Sequence, residues 1–249
     1  MTDSSRGVAV VIPARYGASR LPGKPLVQID GRPMIWYVWE NARNSQCATR
    51  VVVATDDERV AAAVSGFGGE VRMTSSACVS GTDRVAETAR ELSEEIIINL
   101  QGDEPMMDPS VIDAVAGPLL SDPAVSMATA AVVREDPEEF LRPSVVKVVV
   151  DDRGDALYFS RAPIPHYRNA GSGSFRKHLG IYGYRKDFLL RLSNLPPGRL
   201  EEAECLEQLR VLQGGGKIRV LDVGFDSVGV DTPEDLQAVE RRICARKKR

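Results

Sequence analysis

The chain has 249 residues, 43% of them hydrophobic, and 32 Lys+Arg set against 35 Asp+Glu leave a formal net charge of -3. This is enough apolar chain to bury a substantial core, and so even a charge balance supplies no whole-protein field that would draw in nucleic acid; any anion must be caught by a local cluster. No apolar run approaches the ~18 residues of a membrane-spanning helix, the opening MTDSSRG is short and polar for a secretion signal, and Cys47, Cys78, Cys205 and Cys244 form neither a C-x-x-C pair nor a metal-ligand pattern with histidine. The expectation is a cytoplasmic protein with reduced thiols and with neither nucleic acid nor membrane as partner.

In chain order, short apolar runs alternate with segments of helical period. VAVVI (8–12) is followed by MIWYVWENA (34–42), RVVVA (50–54) by DERVAAAV (57–64), EVRMT (70–74) by TDRVAETARELS (82–93), and EIIINL (95–100) by PSVIDAVAGPLL (109–120). Unbroken Val/Ile runs belong to strands covered on both faces, so the fold class is α/β with a mainly parallel central sheet. After Asp122 the texture changes. VSMATAAVV, VKVVV and ALYFS follow in quick succession, with DDRGD (151–155) as a turn, which predicts a strand-rich insertion. RNAGSGS (168–174) reads as a mobile loop, EEAECLEQLRVL (201–212) as a helix and IRVLDV (218–223) as a strand. The final helix has a sharp start, with Thr232 as N-cap, Pro233 at the first helical position and Asp235 three residues on.

The stretch IPARYGASRLPGKPL (12–26) directly follows the first strand, where the ligands of open parallel sheets bind. Arg15, Arg20 and Lys24 can converge there on one multiply charged anion, the glycines letting backbone N–H groups approach it. A triphosphate suits it. Five residues rather than four separate Gly17 from Gly23, and Pro25 rather than a hydroxyl residue follows Lys24, so this is not the P-loop of the Walker ATPases. The competing reading is a basic surface loop.

A triphosphate site needs a divalent cation, and magnesium takes one or two carboxylates with phosphate oxygens and water. Asp103 in NLQGDEP and Asp231 in VGVDTPED are placed at strand ends and would bracket one metal, although Asp103 can serve merely to shape a turn and Asp231 to complement a helix dipole. SGTDR (80–84) suits base and ribose contacts or plain capping. His178 fits a core position, Tyr182 and Tyr184 share one face of a strand, and Glu204, Glu207 and Gln208 read by default as a solvated helix face.

From Val10 to about Leu236 the sequence resembles the 3-deoxy-manno-octulosonate (Kdo) cytidylyltransferases, through IPARYGASRLPGKPL, ATDDERV, MTSSACVSGTDR, NLQGDEP, ALYFSRAPIP, HLGIYGYR, LEQLRVL and GVDTPEDL in that order. The resemblance implies a Rossmann-like nucleotidyltransferase fold forming a single domain over 1–249, with a sugar-binding and dimerisation insertion at about 124–185. It implies a homodimer that uses Mg2+ to convert CTP and Kdo into CMP-Kdo and diphosphate for lipopolysaccharide synthesis. It also assigns Pro13, Ala14, Arg15, Arg20, Lys24, Ser80, Gly81 and Gln101 to the nucleotide, Asp103 and Asp231 to the metal, and Arg161, His178, Tyr182, Glu207 and Gln208 to the sugar. Arg15, Lys24, Asp103 and Asp231 become the catalytic set. The alternatives are a cytidylyltransferase for another sugar acid, such as a sialic acid or an amino analogue of Kdo, and a nucleotide-binding regulator without activity. Two departures stand out: Ala77-Cys78 replaces a polar pair, commonly with histidine, and the segment between Ile164 and His178 is short.

Overall fold

The computed structural model describes residues 7–17, 21–169 and 173–247. Arg20 and the centre of the 168–174 loop lie outside the described residues. The chain divides into two compact units, Met1–Asp113 with Ser227–Arg249, and Ala114–Asp226. The strand-rich segment falls in the second.

The first unit runs β1 (Val8–Pro13), β2 (Gln28–Ile29), β3 (Arg32–Pro33), α1 (Met34–Arg43), β4 (Ala48–Thr55), α2 (Glu58–Gly66), β5 (Glu70–Met73), α3 (Gly81–Ala89), β6 (Ile96–Leu100) and the start of α4 (Pro109–Ser121). β1 pairs in parallel with β6 on one side and β4 on the other, and β4 pairs in parallel with β5. Every residue of β1 is buried, which is why its sequence is continuous Val/Ile rather than alternating. Asp57 caps α2 by accepting from Arg59 N at 2.9 Å, and Ser80 and Asp83 form a reciprocal capping box at the start of α3.

The second unit continues through β7 (Met127–Arg134), α5 (Pro137–Leu141), β8 (Lys147–Val150), β9 (Ala156–Ser160), β10 (Phe175–Arg185), α6 (Lys186–Leu192), α7 (Arg199–Glu204), α8 (Leu209–Gln213) and β11 (Arg219–Asp222). β10 pairs antiparallel with β7 and with β8, β8 pairs antiparallel with β9, and β11 lies parallel to β7. The predicted DDRGD turn joins β8 to β9, with Asp151 N donating to Asp155 O at 2.9 Å and Gly154 at φ 80. The helix predicted over 201–212 is broken. Cys205 adopts a left-handed conformation (φ 51, ψ 51), so α7 ends at Glu204 and helix resumes at Leu209. Sequence periodicity carries no mark of that break, because the residue at the left-handed position is neither Gly nor Asn.

The chain returns to the first unit and ends in α9 (Pro233–Lys247). Its cap is the predicted one: Asp235 N donates to Thr232 Oγ1 at 3.2 Å and Thr232 N to Asp235 Oδ2 at 2.9 Å. Val239 and Ile243 of α9 pack with Val230, Met106, Ile29, Met34 and Tyr37, anchoring the end of the chain beside the first loop. Among the described residues no helix is long and apolar enough to cross a membrane.

β1 and β6 end side by side, and Gly102 is what allows the turn after β6 to pass Pro13: a Cβ there would lie 2.8 Å from Pro13 O. Gly102→Ala is expected to lower stability by about 1–3 kcal/mol, the range for forcing extra atoms into a packed site. Urea denaturation reads this directly, and an unchanged midpoint would show that the strand end yields freely.

Candidate functional site

A cavity of about 290 Å³ opens where β1 and β6 end. Its walls include Pro13 at the end of β1 with Ala14 and Arg15 after it, Lys24 on the far arm of the loop, the N-cap Ser80 and first residue Gly81 of α3, and Gln101 to Asp103 after β6. The predicted nucleotide residues within the described chain therefore share one cavity. Loop geometry follows from its glycine and tyrosine. Gly23, at φ 68, donates its N–H to Tyr16 O at 3.0 Å, and the Tyr16 ring lies 3.3 Å from the Arg59 guanidinium, which Asp57 holds at 3.0 and 2.6 Å. Sequence reading missed Tyr16 and Arg59, because a stack between a loop residue and a helix residue has no local pattern.

Lys24 is the centre of the site. Its Nζ lies 2.6 Å from Asp103 Oδ2 and 2.9 Å from Asp231 Oδ1. The two acids meet because Val230 N donates to Asp103 O at 2.9 Å and Ser227 Oγ to Glu104 Oε2, which stitches the turn after β6 to the segment before α9. Asp231 stands in that irregular segment rather than at the end of a sheet strand, a correction to the sequence reading. Burial opposes charge on Lys24, but Asp103, by charge and hydrogen bond, and then Asp231 hold its pKa above the ordinary lysine value. A fully charged ammonium sits between two carboxylates.

Carboxylate oxygens are the donors that suit magnesium, and the approach of one oxygen from each acid, Asp103 Oδ2 and Asp231 Oδ1, to the same ammonium shows that the pair can address a single point. Among the described residues no group of three or more His, Cys, Asp or Glu could hold a metal ion. Asp103 and Asp231 offer two carboxylates, a set that fits a metal taking its remaining ligands from phosphate and water.

Ser80 Oγ accepts from Asp83 N at 3.1 Å, so Ser80 caps α3 while also facing the cavity. Arg84 is fully buried, donating to Asp56 Oδ2 at 2.9 Å and to Thr74 Oγ1, and serves the fold rather than a base or ribose. At the unusual Ala77-Cys78 pair, Arg15 donates to the Cys78 carbonyl at 2.5 Å, and Cys78 Sγ donates to Glu87 at 3.0 Å. Burial and then Glu87 push the thiol up to about 11, which keeps it protonated and unreactive.

The predicted sugar residues lie in the second unit. His178 and Tyr182 share a face of β10 with ring centroids 5.4 Å apart, Phe159 meets His178 edge-on at 5.0 Å, and Glu207 influences Tyr182 through its charge. Glu207 and Gln208 lie in the break between α7 and α8, not on the continuous solvated helix face that the sequence pattern predicts. Gln208 is only 4% exposed and its Nε2 has no hydrogen-bond partner, an orphan donor that a ligand oxygen would satisfy. Thr129, which sequence reading passed over, fills a register shift between β7 and β10: its hydroxyl donates to Ile181 O at 2.7 Å and lies 3.0 Å from His178 Nε2. The Thr129 hydroxyl has one proton, and where Ile181 O takes it the ring donates from Nε2 and keeps Nδ1 as an acceptor.

A family profile described as "Cytidylyltransferase" matches residues 9–218. A 3-deoxy-manno-octulosonate cytidylyltransferase from Syntrophotalea carbinolica is 51% identical over 95% of this chain and 98% of its own, and one from Solibacter usitatus is 51% identical over 95% and 94%. The chain belongs to the 3-deoxy-manno-octulosonate cytidylyltransferase family. A solved structure of CMP:2-keto-3-deoxy-manno-octonic acid synthetase complexed with CTP superposes with a TM-score of 0.93 at 47% identity, covering 96% of this chain and 99% of that one. A cytidylyltransferase from Leptospira borgpetersenii, 18% identical with a TM-score of 0.67 over 96% and 87% of the two chains, shares the fold. The family's nucleotidyltransferase architecture therefore accounts for the parallel sheet of the first unit, and the predicted α/β class stands.

Surrounding protein pushes the His178 pKa down to about 3, so its imidazole stays neutral at any physiological pH. The His178 ring resonances are expected to stay fixed in an NMR titration from pH 8 to about pH 5, where an ordinary histidine would move through its midpoint near 6.5. A shift with that ordinary midpoint would mean that water reaches the ring and the neutral tautomer is not enforced.

Proposed function

We propose that the protein transfers the cytidylyl group of CTP to the sugar acid Kdo, giving CMP-Kdo and diphosphate. The observation that carries this reading is Lys24 held between Asp103 and Asp231 on a cavity that Ser80, Gly81 and Gln101 also line, a charged group for phosphate beside polar groups for base and ribose. Family membership supports the substrate pair.

In the proposed reaction the anomeric hydroxyl of Kdo attacks the α-phosphorus. A new P–O bond forms, the bond to the β-phosphate breaks, and diphosphate leaves while the hydroxyl proton passes to solvent. Arg15 and Lys24 neutralise charge that grows on the departing diphosphate, and Arg20 belongs to the same phosphate-binding set by its position in the motif. Pro13, Ala14, Ser80, Gly81 and Gln101 hold the base and ribose. Arg161 faces the sugar carboxylate, the neutral His178 accepts a sugar hydroxyl at Nδ1, and Tyr182, Glu207 and Gln208 fix the remaining hydroxyls. Magnesium, when held by Asp103 and Asp231, supplies neutralisation of phosphate charge and acidification of the attacking hydroxyl. Positioning and charge neutralisation carry most of the rate. The protein acts in the cytoplasm as a homodimer, which the family resemblance supports.

The deciding experiment follows diphosphate release with CTP, Mg2+ and a panel of sugar acids. Kdo is expected to give the highest kcat/KM; preference for a sialic acid or an amino analogue would reassign the substrate, and CTP binding without turnover on any of them would leave a regulator. Asp103→Ala is expected to lose at least ~100-fold in kcat, the scale for removing a main electrostatic contributor, with circular dichroism unchanged. A near-normal kcat would remove Asp103 from the mechanism. Lys24→Ala should weaken CTP binding and slow turnover together, since its partner gains charge as the reaction proceeds.

A further inference from the structure

Glu204 reads in the sequence as part of a solvated helix face, yet its carboxylate is turned inward to β9. Oε1 accepts the Ser160 hydroxyl at 2.6 Å, Oε2 accepts the Arg161 main-chain N–H at 2.9 Å, and the Tyr158 hydroxyl hydrogen-bonds to it as well. The contact is returned. Arg161 Nε donates to the Glu204 carbonyl at 2.8 Å, and its terminal nitrogens reach Cys205 O at 3.4 Å and Pro143 O at 3.1 Å. The fully buried Lys147 completes the cage, its Nζ donating to Arg161 O at 2.5 Å, Val145 O at 2.6 Å and Arg142 O at 3.0 Å.

Two consequences follow. The Arg161 guanidinium is held by neutral carbonyl oxygens while the nearest carboxylate binds main-chain and hydroxyl donors, so the arginine is immobilised with its charge still available to an anion. The carbonyls of Glu204 and Cys205 point at the same guanidinium because Cys205 takes the left-handed conformation, one that an L-residue adopts only where its surroundings impose it. That turn then delivers Glu207 and Gln208 directly afterwards.

We infer that Glu204 is a positioning residue for the sugar acid: through Arg161 and the Cys205 turn it locks the carboxylate-binding arginine in register with Glu207 and Gln208. This rests on the reading of Arg161 as the carboxylate contact. Glu204 itself touches no substrate.

The test is steady-state kinetics of diphosphate release by the full chain, varying the sugar acid and CTP separately, for Glu204→Ala, Glu204→Gln and Arg161→Lys. Glu204→Ala leaves the buried donors of Ser160 and Arg161 without an acceptor, and is expected to raise the KM for the sugar acid roughly tenfold while that for CTP stays within about twofold. Glu204→Gln retains one acceptor of the two and is expected to fall between, carrying the test if the alanine variant fails to fold. A sugar-acid KM within about twofold of the parent in both variants, or KM values for both substrates rising together with a lowered Tm, overturns the inference. Arg161→Lys separates the two levels. If it raises the sugar-acid KM while the Glu204 variants do not, the site assignment stands and the positioning role falls; if it too is silent, the site assignment is wrong and the inference goes with it.

Discussion

One ammonium between two carboxylates organises the nucleotide end of this protein. Asp103 and Asp231 would repel one another if both were ionised at a shared point, and separate chain segments carry them there. Lys24, at 2.6 and 2.9 Å from them, makes their approach favourable before any ligand arrives. The backbone bond from Val230 to Asp103 O and the Ser227–Glu104 bond hold the segments together independently of that charge. Such a site is poised for exchange. On the proposed function, a divalent cation would compete with the ammonium for the same oxygens and a polyphosphate would compete with the oxygens for the ammonium, so a magnesium nucleotide would satisfy both halves of the triad at once.

The second unit solves a different electrostatic problem. Around Arg161 and Lys147 it holds charge with neutral dipoles. Lys147 is caged by three carbonyl oxygens, the Arg161 guanidinium by three others, and His178 is kept neutral by its enclosure. Nearby, the Nε2 of Gln208 is buried without a partner. A ligand with one carboxylate and several hydroxyls calls for this mixture, because hydroxyl recognition depends on directed single bonds whereas carboxylate recognition needs one uncompensated cation.

The parallel strands were legible because a strand buried on both faces leaves a run of Val and Ile, and β1, β4 and β6 have such runs. The basic loop was legible because three cations crowd a strand end, and the cap of α9 because Thr-Pro-x-Asp is a local pattern with a local mechanism. What escaped was everything that depends on contact across the fold. Thr129 looks like any strand threonine until a register shift opens beside it. Arg84 looks like a ligand-facing cation until its burial against Asp56 is seen. The break at Cys205 has no signature, since the contacts around it belong to Ser160 at the end of β9 and Arg161 just after it.

At Ala77-Cys78 the neighbouring site residues are held mainly through the main chain. The contact made there by Arg15 is to the Cys78 carbonyl, and the wall contributed next is Ser80 and Gly81, whose placement is fixed by the capping box with Asp83. Main-chain atoms impose no demand on side-chain identity as long as the loop keeps its path. The cysteine helps keep it, because its thiol donates to Glu87, and Glu87 also accepts from Ser75 N at 2.9 Å. A protonated thiol donates one hydrogen bond to a helix carboxylate and so holds the loop against α3 whatever lies in the cavity beside it.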